Sequence, residues 1–186
     1  YLCTPWDSSS LEFLEEMGVL AYKVASADLT NIPLIELLIQ TRKPLILSTG
    51  MSTTEEIQFT SSVLDKANTE YAFLHCNSTY PAPLEDINLS WIGELKKIHA
   101  TVGYSGHERG ISVTIAAVVM GISIIERHFT LDRNMEGPDH AASLEFDEFS
   151  RLVEGVREVE AALGSANKAR PLSQGEMINR ENLAKS

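Results

Sequence analysis

Short apolar runs recur along the chain at residues 2–4, 20–24, 44–48, 71–76, 101–105 and 123–128. Each has strand length, and the stretches between them carry helical period. Leu11 and Leu14 begin one helix; Leu34, Leu37 and Leu38 mark a second. Ser52-Thr53-Thr54-Glu55 reads as a capping box opening a third, which runs through Val63 and Leu64. Trp91, Leu95 and Ile98 share a face of a fourth. Residues 111–120 are apolar on most sides, which predicts a well-buried helix. Phe149, Leu152, Val153, Val156 and Leu163 define the last, and Gly164 is positioned to stop it.

Strand and helix therefore alternate. Lys23, Ser48, His75, Ser105 and His128 occupy comparable strand positions, spaced by roughly 25 residues, the length of one βα unit. Continuous apolar strands imply a parallel sheet covered on both faces. A doubly wound sheet and a (β/α)8 TIM-type barrel both fit. A doubly wound nucleotide-binding domain favours a glycine-rich phosphate turn, and neither GxGxxG nor GxxxxGKS is in the sequence. Polar residues instead stand at the C-terminal ends of nearly every strand, which spreads a site around a ring, as in a barrel. Six strands are countable, so the expectation is an α/β barrel that lacks two. Residues 1–164 form that partial barrel. Residues 165–186 are polar, with Pro171 and Gly175 and weak periodicity, and read as a linker. The chain starts on Tyr1 in a strand-like run and ends on Lys185-Ser186, so both ends read as cut.

Composition narrows the class. With 44% hydrophobic and 22% charged residues, the 186-residue chain is ordinary globular protein. No apolar run reaches membrane-spanning length and no secretion signal is evident, so no membrane partner is expected. The net charge is −11 and Lys and Arg total only 15, with no basic stripe, which argues against nucleic acid. A few convergent cations can still bind an anionic substrate. Cys3 and Cys76 lie in apolar runs and read as buried free thiols of a reduced, cytoplasmic protein.

His107 and His128 end the last two strand-like runs, in VGYSGHERG and SIIERHFTLD. Adjacent strands would bring the imidazoles together, where neutral rings bind Mn²⁺, Fe²⁺ or Zn²⁺ with water and substrate oxygens completing the shell. Two hydrogen-bonded structural histidines would give the same spacing. Ser26, Ser48 and Ser105 end three strands, and Lys23 lies in YKVAS. Converging hydroxyls and a lysine make a phosphate cradle, and Thr4 before Pro5 would join them. Singly, each serine is equally a helix cap. Glu126 shares a strand face with His128, two residues on. An inward carboxylate needs a partner: sugar hydroxyls, a metal-bound water, or an ion pair with Arg127 or Lys23. Asp28 and Asp139 are the other acidic candidates. Asp139 lies in the turn-rich Glu136-Gly137-Pro138-Asp139-His140 loop, and Tyr80, after Asn77-Ser78, is placed to line a pocket.

Taken in order, TPWD, YKVAS-AD, ILSTGM, LHCNSTYPAP, GYSGHERG and ERHFTLDRNMEGPDHAASLE resemble the sialic acid synthase family, N-acetylneuraminate synthase and its bacterial relatives. The resemblance runs from Leu2 to about Ser186. It implies a (β/α)8 barrel followed by a small antifreeze-like domain. It also implies condensation of phosphoenolpyruvate with N-acetylmannosamine or a related sugar, giving a nine-carbon 2-keto acid and phosphate. His107 and His128 would bind the divalent metal, Mn²⁺ or Mg²⁺. Lys23, Ser26, Ser48, Ser105 and Thr4 would hold phosphoenolpyruvate, with Asn77 or Ser78 joining them. Glu126, Asp139, Tyr80 and Asp28 would face the acceptor sugar. Asp28 stands where many relatives carry Glu, and Gly106 where many bacterial members carry Asp.

The chemistry needs a base of carboxylate type for the attacking water, and Asp28 or Glu126 is the candidate. Counted against the family, the chain begins at the third strand and lacks the C-terminal domain, so these residues alone are expected to be inactive or weak. A homodimer is implied by resemblance only. Two other functions compete: a metal-dependent barrel aldolase or lyase that uses no phosphoenolpyruvate, and an inactive barrel fragment serving as an interaction module. The strand-end serines with Lys23 argue against the first, and retention of both histidines and all three acids against the second.

Overall fold

The computed structural model describes residues 1–164 and 170–184. It contains five parallel strands in sequential order: β1 (Tyr22–Val24), β2 (Leu45–Ser48), β3 (Tyr71–Cys76), β4 (Val102–Gly106) and β5 (Ile125–Arg127). Helices connect and flank them: α1 (Ser8–Glu16), α2 (Ile32–Gln40), α3 (Thr54–Lys66), α4 (Ile92–Ile98), α5 (Ser112–Val119), α6 (Phe146–Leu163) and α7 (Gln174–Leu183). The result is an open half-barrel of βα units. Among the described residues, no helix is long and apolar enough to cross a membrane.

Strand alternation sorts the side chains into two layers. Tyr22, Val24, Leu45, Leu47, Tyr71, Phe73, Val102 and Tyr104 are buried in the core, together with Leu34, Ile35 and Leu38 of α2 and Ile57 and Leu64 of α3. The intervening positions, Lys23, Ser48, Cys76, Ser105 and Glu126, line one cavity on the other face. Register aligns them, since Ser105 pairs with Cys76 on one side and Glu126 on the other.

Several local expectations change. The run at 2–4 is reduced to one bridge between Cys3 and Tyr22. Pro5 supplies no N–H to extend the pairing, and Leu2 and Tyr1 are exposed. The cap of α3 is Thr53 with Glu56, one residue later than the pattern suggested. The helix within 111–120 is buried on one side only, at Thr114, Ala117 and Val118, while Val119 and Met120 are exposed. His75 does not share the face of Lys23, Ser48 and Ser105: it turns into the helical layer, with Nε2 2.7 Å from the Ile87 carbonyl. Helix α7 forms where only weak periodicity was legible, with a capping box at Ser173 and Glu176. Residues 165–169 of the expected linker, and 185–186, lie outside the described residues. Gly164 ends α6 with a positive φ of 55°. Both cysteines are free thiols, Cys76 buried and Cys3 half-buried.

Candidate functional site

The C-terminal ends of the strands open on a cavity of about 490 Å³. Its floor collects Lys23, Ser48, Ser105 and Glu126 from four different strands. Lys23 is only 8% exposed. Its ammonium lies 3.6 Å from Glu126 Oε1 and donates to the Val24 carbonyl at 3.0 Å. Burial pulls Lys23 below the ordinary lysine value, and the charge of Glu126 opposes that shift. Ser105 donates to Glu126 Oε1 at 2.7 Å. Ser48 lines the cavity, and its Oγ is buried without a hydrogen-bond partner.

Ser26 and Ser78 occupy the wall beside Thr4. Ser26 Oγ accepts from the Gly50 N–H at 3.2 Å. A Cβ at Gly50 would collide with Ser78 Oγ and stand 2.8 Å from Ser26 Oγ, so both hydroxyls would have to move to admit one. The wall is thus a close approach of backbone N–H and two hydroxyls, suited to anionic oxygens.

The two imidazoles line the same cavity. The centroids of His107 and His128 are 5.1 Å apart with planes at 72°, and Tyr80 packs on both, 4.1 Å from His107 and 5.5 Å from His128. His107 Nδ1–H donates to the Asn77 carbonyl at 2.6 Å, which leaves the lone pair on Nε2. Asp139 Oδ2 stands 3.8 Å from His128 Nδ1, close enough for attraction but beyond a hydrogen bond. Burial lowers the pKa of His107 and outweighs the raising effect of the Asn77 bond. Burial also lowers that of His128, aided by His107 and opposed by Asp139. Both shifts favour the neutral, ligand-competent ring. Burial, then Cys76, Asp139 and Glu126, push Tyr80 up to about 12, so it stays a phenol.

Eleven of the thirteen residues singled out from sequence line this one cavity. Asp28 and Asn77 do not. Asp28 Oδ1 accepts from the Asn31 side chain at 2.9 Å, and its Oδ2 is buried without a partner. The Asn77 side chain donates to the Asp86 carbonyl at 3.1 Å, so its backbone oxygen rather than its amide touches the site. The ion-pair alternative for Glu126 takes the Lys23 form. Arg127 pairs instead with Glu108.

The structure adds Cys76, Trp6 and Met51 to the lining. Cys76 Sγ is 3.6 Å from Ser26 Oγ and 3.8 Å from His107 Nδ1. Strand parity was the available signal, since Cys76 lies two residues before Ser78.

Among the described residues, no group of three or more His, Cys, Asp or Glu is arranged to hold a metal. Within the cavity, His107 and His128 would supply two nitrogen donors to such an ion. That donor set fits an exchangeable divalent ion better than a closed structural zinc site.

The fold is thus an open parallel half-barrel with cationic, hydroxyl and imidazole groups gathered at its strand ends. The chain belongs to the NeuB family, which matches residues 1–168. It is 40% identical to N,N'-diacetyllegionaminic acid synthase of Campylobacter jejuni, covering 96% of this chain and 55% of that protein. It is 41% identical to human N-acetylneuraminate-9-phosphate synthase, covering 97% of this chain and 50% of that protein. The chain thus spans about half the length of these relatives. Among solved structures, the N-acetylneuraminic acid (sialic acid) synthetase of Leptospira borgpetersenii, in complex with citrate, superposes with a TM-score of 0.88 at 36% identity. The match covers 97% of this chain and 64% of that one.

Proposed function

We propose that this chain forms the chemical core of a synthase that condenses phosphoenolpyruvate with N-acetylmannosamine or a related N-acetylated hexosamine. The products are a nine-carbon 2-keto sugar acid and inorganic phosphate, with one water consumed. The observation that supports the reading is a single cavity that gathers a buried ammonium, several hydroxyls and a pair of imidazoles. Lys23, Ser26 and Ser48 form its anion-binding part, and His107 and His128 line the same cavity 5.1 Å apart.

Lys23, Ser26, Ser48, Ser105 and Thr4 bind the phosphate and carboxylate of phosphoenolpyruvate, with Ser78 adding a hydroxyl. A buried ammonium binds an anion more strongly than an exposed one because water does not compete. Tyr80 and Asp139 flank the opening and orient the acceptor's hydroxyls. Carbon 3 of the enol then attacks the aldehyde carbon, water adds at carbon 2, and the phosphate–oxygen leaving group departs. Glu126 is the base for that water. Its Oε1 is held by Ser105 and Lys23, so Oε2 is assigned the proton. Asp28 does not line the cavity, and its Oδ1 instead accepts from Asn31, the cap of α2.

His107 and His128 would hold the divalent ion, Mn²⁺ or Mg²⁺, and when bound it would polarise the aldehyde carbonyl. The strands correspond, in this reading, to the later part of an eight-stranded barrel. In this reading the residues here have little activity by themselves, because they span about half the length of the relatives.

The test combines Mn²⁺, phosphoenolpyruvate and a panel of acceptors with the chain extended at both ends. Phosphate release with a nine-carbon keto acid in the mass spectrum is expected. Aldehyde cleavage or condensation without any phosphoenolpyruvate requirement would rule the proposal out.

A further inference from the structure

His107 and Glu108 are chain neighbours, as are Arg127 and His128. At both places one side chain enters the cavity and its neighbour turns into the layer behind. The two rear side chains meet. Arg127 Nη1 lies 2.9 Å from Glu108 Oε1, and both side chains are 0% exposed. Arg127 also donates to the carbonyls of Glu108, at 2.6 Å, and Gly110, at 2.9 Å. Tyr104 donates to Glu108 Oε2 at 2.8 Å, and Thr114 to Oε1 at 2.9 Å. The knot therefore ties β4, the turn after it, the start of α5, and β5.

Gly106 makes room for it. A Cβ there would stand 2.7 Å from Glu108 Oε2, 2.7 Å from Tyr104 Cε1 and 3.0 Å from Arg127 Cδ. A fully buried ion pair is a weak source of stability, since desolvation of both charges cancels much of their attraction. What it supplies here is fixed geometry, because the planar guanidinium bonds the turn at two carbonyls and a carboxylate together.

We propose that Glu108 and Arg127, admitted by Gly106, are positioning residues that set the separation and facing of His107 and His128. The ring geometry itself is independent of the proposed function. The consequence for a bound ion rests on that reading. Loosening the knot lets the strand ends separate, so the site loses affinity for a divalent ion while the fold survives.

The experiment compares wild type with Tyr104→Phe, Arg127→Lys and Gly106→Ala, and with Leu64→Ala as a core control on α3, away from the cavity. Ring ¹H–¹⁵N signals of His107 and His128 are read without metal, and Mn²⁺ affinity from the free-ion electron paramagnetic signal. The three variants are expected to shift both ring signals and to weaken Mn²⁺ binding by about tenfold or more. Leu64→Ala is expected to lower the melting temperature without either effect. Unchanged ring signals in the folded variants, or equal changes in Leu64→Ala, would overturn the proposal. Tyr104→Phe uncovers no charge, so it decides the matter if Arg127→Lys does not fold. Should the wild type take up no Mn²⁺, the metal reading fails, and the ring signals still decide the positioning role.

Discussion

Lys23 concentrates the electrostatics of the pocket in one atom. It is buried, close to Glu126, and flanked by hydroxyls. Replacing it with Met keeps the stem and removes the charge. Phosphoenolpyruvate should then bind at least tenfold more weakly, on the order of 1.4 kcal/mol. Thermal-shift titration measures this, and an unchanged midpoint for the ligand would refute the cradle. His75 gives a different kind of prediction. Burial holds its pKa below the usual 6.5, so the folded chain resists a proton that the unfolded chain accepts. The stability from neutral His75 is complete above about pH 6.5 and is lost as pH falls through the depressed folded value. His107 and His128 shift in the same direction and add to the effect. Melting temperature should therefore fall between pH 7 and 5.5. His75→Gln retains a donor for Ile87 and should flatten part of that slope; an identical slope would exclude His75. At this scale, strand alternation made much of the cavity legible, because Glu126 and His128 must share a face. Asp28 and Asn77 lie just beyond strand ends, where no period fixes a side chain's direction. Glu108 escaped notice because GHERG reads as a charged, solvated turn.

Elements were easier to find than to bound. Three hydroxyl residues precede two glutamates at Ser52-Thr53-Thr54-Glu55-Glu56, so the capping pattern fits two registers, Ser52 with Glu55 or Thr53 with Glu56. Hydrogen bonding selects the later one. Thr53 Oγ1 accepts from the Glu56 N–H at 3.3 Å, and Glu56 Oε2 accepts from the Thr53 N–H at 2.7 Å. Thr53→Ala should therefore cost about 1 kcal/mol, whereas Ser52→Ala should change stability little. Urea unfolding of the two variants separates the registers, and the reverse order would assign the cap to Ser52. Helix α7 carried the same kind of signal, Ser173 three residues before Glu176. Gly175 and the polar surroundings obscured it, since no buried face accompanies the cap.

At the scale of the molecule, the half-barrel is unevenly covered. Every residue of β3 is buried, while every residue of β5 is only half-buried. Among the described residues, β5 pairs in the sheet with β4 alone. Beside it, Phe129 and Phe149, ring centroids 6.0 Å apart, leave apolar surface exposed. The alternation of strand and helix announced the parallel sheet, but its closure depends on partners distant in sequence, which periodicity does not encode. An edge of this kind offers unpaired backbone groups and an apolar flank together. These residues expressed alone should therefore self-associate as concentration rises, and should condense substrates far more slowly than a chain carrying the relatives' additional length. Sedimentation velocity across a concentration series, alongside a phosphate-release assay on both forms, tests this. A monomer at every concentration with full activity would mean that the half-barrel is self-sufficient, and the strand ends of β1 to β5 would then hold the whole catalytic site.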